Sequence, residues 1–128
     1  METDLSKKLR FEPRHYSVLV LEDEPLIAID LEHMLRQLGF TTITLVGTVE
    51  RALATIDAYD LAILDVSLRN GTSAPVAEAL RSKGAPFIVS TGYIDTGPIP
   101  SALKVQPFLR KPFSIEDLAL SLNQLSLP

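Results

Sequence analysis

The chain has no cysteine, which excludes disulfides and thiolate chemistry and permits a reducing compartment. It has no surplus of basic residues: the formal net charge is −4, so no cationic stripe offers itself to nucleic-acid phosphates. It has no apolar run long enough to span a bilayer and no apolar segment near the start of the kind a secretory leader carries. Its two histidines, His15 and His33, have no second histidine or cysteine at ligand spacing, which argues against zinc. Neither common glycine-rich phosphate loop is present. These gaps leave a cytoplasmic protein without nucleic acid or membrane as the expectation. What is present is apolar material, 46% of 128 residues, enough for one domain with a real core.

Five short apolar runs recur at regular spacing: Val18–Leu21, Thr42–Val46, Leu61–Leu64, Phe87–Val89 and Phe108–Leu109. Several are nearly continuous rather than alternating, the pattern of strands covered on both faces of a parallel sheet. Helical patterns lie between them. The first spans about Pro25 to Leu38, with Ile27, Leu31, Met34 and Leu38 on one face, proline in the first turn and Gly39 just past the end. The second opens at Thr48 and carries Val49, Leu53 and Ile56; the third follows Ser73, carries Val76, Ala79 and Leu80, and stops at Gly84. The last opens at Ser114, with Asp117 three residues on resembling a capping box, and carries Leu118, Leu122 and Leu125. Gly97, Pro98 and Pro100 interrupt the fourth helical position, leaving a turn or two between Ile99 and Val105. The alternation predicts an α/β fold, a flavodoxin-like, doubly wound, five-stranded parallel sheet of order 2-1-3-4-5, with its site beyond the carboxyl ends of the strands. Residues 1–16, polar and mixed in charge, are expected to be a loose N-terminal extension to a domain spanning 17–128.

The residues that follow each strand then meet at one edge: Glu22, Asp23 and Glu24; Asp65; Ser90 and Thr91; and Lys111. Clustered carboxylates repel unless a cation compensates, and Mg²⁺ takes oxygen ligands. Asp23 and Asp65 are the candidate direct ligands, Glu22 one acting through water, and the Ser67 backbone carbonyl a further oxygen. The acidic triplet also suits a helix start, where acids meet the positive end of the dipole; that accounts for Glu24 but not for Asp65. Asp65 is the candidate nucleophile toward a phosphoryl group. Taken alone it also reads as a turn residue opening the loop to Gly71. Lys111 is placed to pair with Asp65 or a phosphoryl oxygen, and otherwise reads as a surface lysine. Pro112 raises the expectation of a cis bond that would turn Lys111 inward. Thr91 offers a hydroxyl donor, or else local turn bonding, while Ser90 should point the other way.

Val18-Leu-Val-Leu-Glu-Asp-Glu-Pro25, Ile63-Leu-Asp65, Ser90-Thr91-Gly92 and Phe108-Leu-Arg-Lys-Pro-Phe113, in this order and spacing, together resemble the receiver domain of bacterial response regulators. The resemblance implies that Glu22 and Asp23 hold Mg²⁺, that Asp65 is the phosphorylated aspartate, that Thr91 and Phe108 are switch residues and that Lys111 is the family's lysine. It implies a phosphoprotein of a two-component system or phosphorelay. The phosphoryl group would come from a histidine kinase or histidine phosphotransfer protein, and the switched domain would act on a downstream protein target. Such a domain would be a monomer or weak dimer, and would promote only its own phosphorylation and dephosphorylation rather than act as an enzyme. Ser67 and Tyr93 stand where the family tunes phosphoryl lifetime, and the proline-rich fourth-helix segment departs from the family's regular helix. Val89-Ser-Thr-Gly-Tyr93 is similar in part to the FATGUY subgroup of single-domain receivers, although Val89 and Ser90 replace its Phe and Ala and Phe108 is an aromatic. No output domain is expected after the last helix. A degenerate receiver serving as a phosphorylation-independent docking module is the alternative. An aspartate-nucleophile phosphatase would want an acid where Ser67 stands, and a flavin site would not place three acids in its first loop.

Overall fold

The runs rich in β-branched and aliphatic residues pair in parallel. In the computed structural model, which describes residues 5–69, 71–92, 99–104 and 107–128, β1 is Ser17–Leu21, β2 Thr42–Val46, β3 Leu61–Asp65, β6 Phe87–Thr91 and β7 Phe108–Arg110. Their order is β2-β1-β3-β6-β7. This is the expected 2-1-3-4-5 once a small hairpin, β4 (Ser67–Leu68) with β5 (Gly71–Thr72), is set aside. Every residue of the inner strands β3 and β6 is buried, which is why they read as unbroken apolar runs; β2, at an edge, exposes Thr42 and Thr44 and alternates.

Successive side chains point to opposite faces, so the sheet serves two cores. Leu19, Leu21, Leu64 and Val89 meet α2 (Val49–Ala54) and α3 (Ala74–Lys83) on one side. Val18, Val20, Ile63 and Ile88 meet α1 (Pro25–Gln37) and α4 (Ile115–Asn123) on the other. Each fully buried leucine contributes about 1.5–3 kcal/mol through water removal.

Helix ends follow local chemistry. Pro25 opens α1, the Thr48 hydroxyl accepts from the Arg51 amide at 3.2 Å, and Gly84 closes α3 at φ 78°, where a side chain would be strained. The capping box at Ser114 and Asp117 is formed, with both bonds at 3.0 Å. The stripes differ from expectation in detail. In α1 the buried residues are Ala28, Leu31 and Leu35, followed by Leu38, while Ile27 is exposed; in α2 Ala52 is buried and Leu53 exposed. In both, an alanine that the apolar stripe passes over is buried. In place of a fourth helix, the described residues 99–104 contain one 3₁₀ turn, Ser101–Leu103, which buries Ala102 and Leu103. Arg81 of α3 holds it, donating to the Ala102 carbonyl at 3.1 Å while lying over the Phe87 ring. Tyr93, Gly97, Pro98 and Val105 lie outside the described residues.

The stretch before β1 is not loose where it is described. Leu9 and Pro13 are buried, and Phe11 packs edge-on against Tyr16 and tilted against Phe40. The Arg10 amide donates to Asn123 Oδ1, and Asn123 Nδ2 donates to the Lys8 carbonyl, both at 2.8 Å. The Tyr16 hydroxyl donates to the Pro128 carbonyl. This segment closes the amino ends of the strands on the α1/α4 side.

Candidate functional site at the carboxyl ends of the strands

Register brings the candidate residues together. Leu21 pairs with Leu64, Asp65 with Ser90, and Thr91 with Arg110, so Glu22, Asp65, Thr91 and Lys111 emerge along one edge of adjacent strands. One carboxylate oxygen each from Glu22, Asp23 and Asp65 lies within 4.8 Å of the others. The Lys111 ammonium enters this group at 2.5 Å from Glu22 Oε1 and 3.2 Å from Asp65 Oδ1. The Lys111–Pro112 bond is cis, as expected from Pro112. The Lys111 amide donates to the Thr91 carbonyl at 2.7 Å, and Thr91 is buried at the end of β6 with its hydroxyl against the Gly92 carbonyl at 3.3 Å. Phe108 is half-buried at the start of β7, opposite Val89 and against the α2/α3 core.

Electrostatics single out Asp65. Burial and the adjacent Glu22 charge push its carboxyl up from 3.8 to about 7, against the pull of Lys111. For Lys111, burial works to lower the pKa, but the hydrogen bond to Glu22 and the Asp65 and Glu22 charges outweigh it and hold the ammonium above its usual range. One ammonium therefore faces more negative charge than it neutralises. The donor set is all oxygen and anionic, which fits a hard divalent ion such as Mg²⁺. Glu22, Asp23 and Asp65 together could hold such an ion. Glu22 has both oxygens engaged, Oε1 by Lys111 and Oε2 by the Glu24 amide at 3.1 Å, which suits a role through water.

Two arrangements were not foreseen. Lys111 was expected on Asp65, yet its shorter contact is to Glu22. The loop after Asp65, read as a turn, forms the β4–β5 hairpin, and the Arg69 amide at its tip donates to Asp23 Oδ2 at 2.6 Å. The Asn70-Gly71 pair is a hairpin signature that could have signalled it. A groove of about 580 Å³ adjoins the site, lined by Leu26, Ile27, Asp30, Met34, Lys111 and Phe113 among others.

The parallel α/β sheet thus carries an acid, hydroxyl and lysine set at its carboxyl edge. A family model described as the response regulator receiver domain matches residues 18–123, and the chain belongs to that family. It is 36% identical over 106 residues to the transcriptional regulatory protein PdtaR of Mycobacterium tuberculosis, covering 79% of this chain and 52% of that protein. The chain thus spans about half the length of that curated relative. The solution structure of SdrG from Sphingomonas melonis Fr1 matches with TM-score 0.74 and 44% identity, over 84% of this chain and 92% of that one. The BeF3-activated conformation of SdrG from Pseudomonas melonis Fr1 matches with TM-score 0.70 and 43% identity, over 83% and 92%. Receiver domains are modules of two-component signalling. No helix among the described residues is long and apolar enough to cross a membrane.

Proposed function

We propose that this chain is a phosphoacceptor switch in which Asp65 takes a phosphoryl group from a phosphohistidine, with Mg²⁺ held by Asp23, Asp65 and the Ser67 carbonyl, and by Glu22 through water. The observation that carries the reading is the buried Asp65 carboxylate, in contact with Lys111 and crowded by Glu22 and Asp23. An Asp65 oxygen attacks phosphorus; the new P–O bond forms as the P–N bond to the donor imidazole breaks, and the imidazole leaves with the electron pair. A bound divalent ion would supply positive charge to the carboxylates and to the incoming phosphoryl oxygens. Lys111, already between Glu22 and Asp65, holds a phosphoryl oxygen as a point charge. The Thr91 hydroxyl donates to another, and Phe108 responds by changing its packing. Ser67, and Tyr93 outside the described residues, set how long the phosphoryl group survives.

The donor is a histidine kinase or histidine phosphotransfer protein. The groove beside Lys111 supports docking there, since it presents the exposed Leu26 and Ile27 next to the reacting group. A similar protein in a BeF3-activated form supports the same reading, because beryllofluoride mimics a phosphoryl group on a carboxylate. Output passes to a downstream protein, in the cytoplasm and from a monomer or weak dimer, with no turnover beyond the domain's own phosphorylation and dephosphorylation. Intact-protein mass after treatment with acetyl phosphate and Mg²⁺ tests this. Wild type is expected to gain one phosphoryl mass, lost on adding EDTA beforehand, and Asp65→Ala none. Equal gain by both, or by neither, would leave the docking-module reading in its place.

A further inference from the structure

Between Asp65 and α3 the chain doubles back as a hairpin instead of running directly into the helix. Ser67 pairs with Thr72 and Leu68 with Gly71, antiparallel. Leu68 packs against the α2/α3 core and so anchors one side of the hairpin. Gly71 sits at φ 138° with nothing within 4 Å of where a Cβ would stand, so glycine is demanded there by backbone conformation, not by space. The Arg69 side chain at the tip is exposed, while its amide turns back onto Asp23 Oδ2 at 2.6 Å, across 46 residues of sequence. That distance is short for an N–H donor, as expected for a charge-assisted bond to a carboxylate.

The bond joins the two loops that carry the acids. Asp23 is half-buried beside two buried carboxylates, Glu22 and Asp65, and like-charge repulsion alone would turn it outward to solvent. An amide donor fixed in a hairpin holds one of its oxygens and with it the rotamer. The same hairpin begins at Ser67, whose carbonyl the proposed site also uses.

We propose that the β4–β5 hairpin is the positioning element of the divalent-ion site: the Arg69 amide orients Asp23 without touching the ion, and so sets the affinity. This rests on the reading that Asp23 and Asp65 hold the ion. Groups that orient metal ligands from outside typically change affinity by roughly 10–100-fold when lost. Linkage makes the effect reciprocal, so the ion should in turn hold the hairpin closed.

Mg²⁺ titration followed by calorimetry, with no phosphodonor, separates the two ideas. Arg69→Pro removes the amide and is expected to weaken Mg²⁺ binding by at least roughly 10-fold. Arg69→Ala keeps the amide while losing a cation, and is expected to bind at least as tightly as wild type. Hydrogen exchange at the Arg69 amide in wild type supplies a second readout that needs no variant: it should slow on adding Mg²⁺. Equal affinity in all three proteins, or an Arg69 exchange rate indifferent to Mg²⁺ while wild type binds it, overturns the hairpin's role and leaves the metal site standing. Absence of Mg²⁺ binding by wild type overturns the metal reading itself, and the hairpin's role with it.

Discussion

Leu9, at the amino ends of the strands, and Asp65, at the carboxyl ends, are buried to nearly the same degree, 8% and 7% exposed, yet burial does opposite things to them. Around Leu9 the chain gathers Phe11, Tyr16, Phe40 and the Asn123 amide, and each apolar contact and hydrogen bond favours the folded state. Around Asp65 it gathers two further carboxylates and one ammonium, and folding strains the ionised form until its pKa reaches about 7. One end of the sheet holds the domain together. The other keeps charge in a configuration that a cation would relieve, the usual way a functional site departs from the most stable arrangement.

The contrast can be broken most forcefully at the amino end. Replacing both Leu9 and Phe11 by alanine should cost about 4 kcal/mol, read as a lower midpoint in urea unfolding with little change of slope. An unchanged midpoint would mean that the segment before β1 merely lies on the surface. At the other end the sign reverses: Asp65→Asn should stabilise the ion-free protein by about 2 kcal/mol at pH 8, less than the full pKa displacement because part of that displacement belongs to the Glu22–Asp65 pair rather than to Asp65 alone. The pH dependence follows from a carboxyl raised from 3.8 to about 7. Its stabilising contribution is complete below pH 3.8 and lost as pH rises through about 7, so the gap between variant and wild type should widen over that window and narrow when Mg²⁺ is added. Thermal melts across pH, with and without the ion, check both statements; a constant gap would contradict them. The smallest effect is expected from Asn123→Ala, which removes the two side-chain bonds to the segment before β1 and should cost about 1 kcal/mol in the same melts.

The carboxyl end was the more legible of the two. Strands covered on both faces write themselves as unbroken apolar runs, and residues immediately after them must meet at one edge, so Asp23, Asp65 and Lys111 could be brought together before any coordinates. The amino end hid because Leu5, Leu9 and Phe11 are scattered among Lys7, Lys8, Arg10 and Glu12 with no helical or strand period; only contact with α1, α4 and Phe40 gives them a place. In α1 the expected stripe counted Ile27 and passed over Ala28 and Leu35, because a periodic reading weighs large residues and can sit one position off the face that is buried. The hairpin escaped because its paired strands are two residues each, too short to alternate. The Lys111–Glu22 contact escaped because spacing says which groups share an edge and not how one ammonium divides itself among several acids.

The 2.7 Å bond from the Lys111 amide to the Thr91 carbonyl ties β7's exit to the end of β6. The hydroxyl and the ammonium are therefore mounted on a common beam, and neither strand end can be drawn toward a new ligand without tugging the other. A pull felt at either is handed to both Gly92 and Pro112, where the chain leaves the sheet.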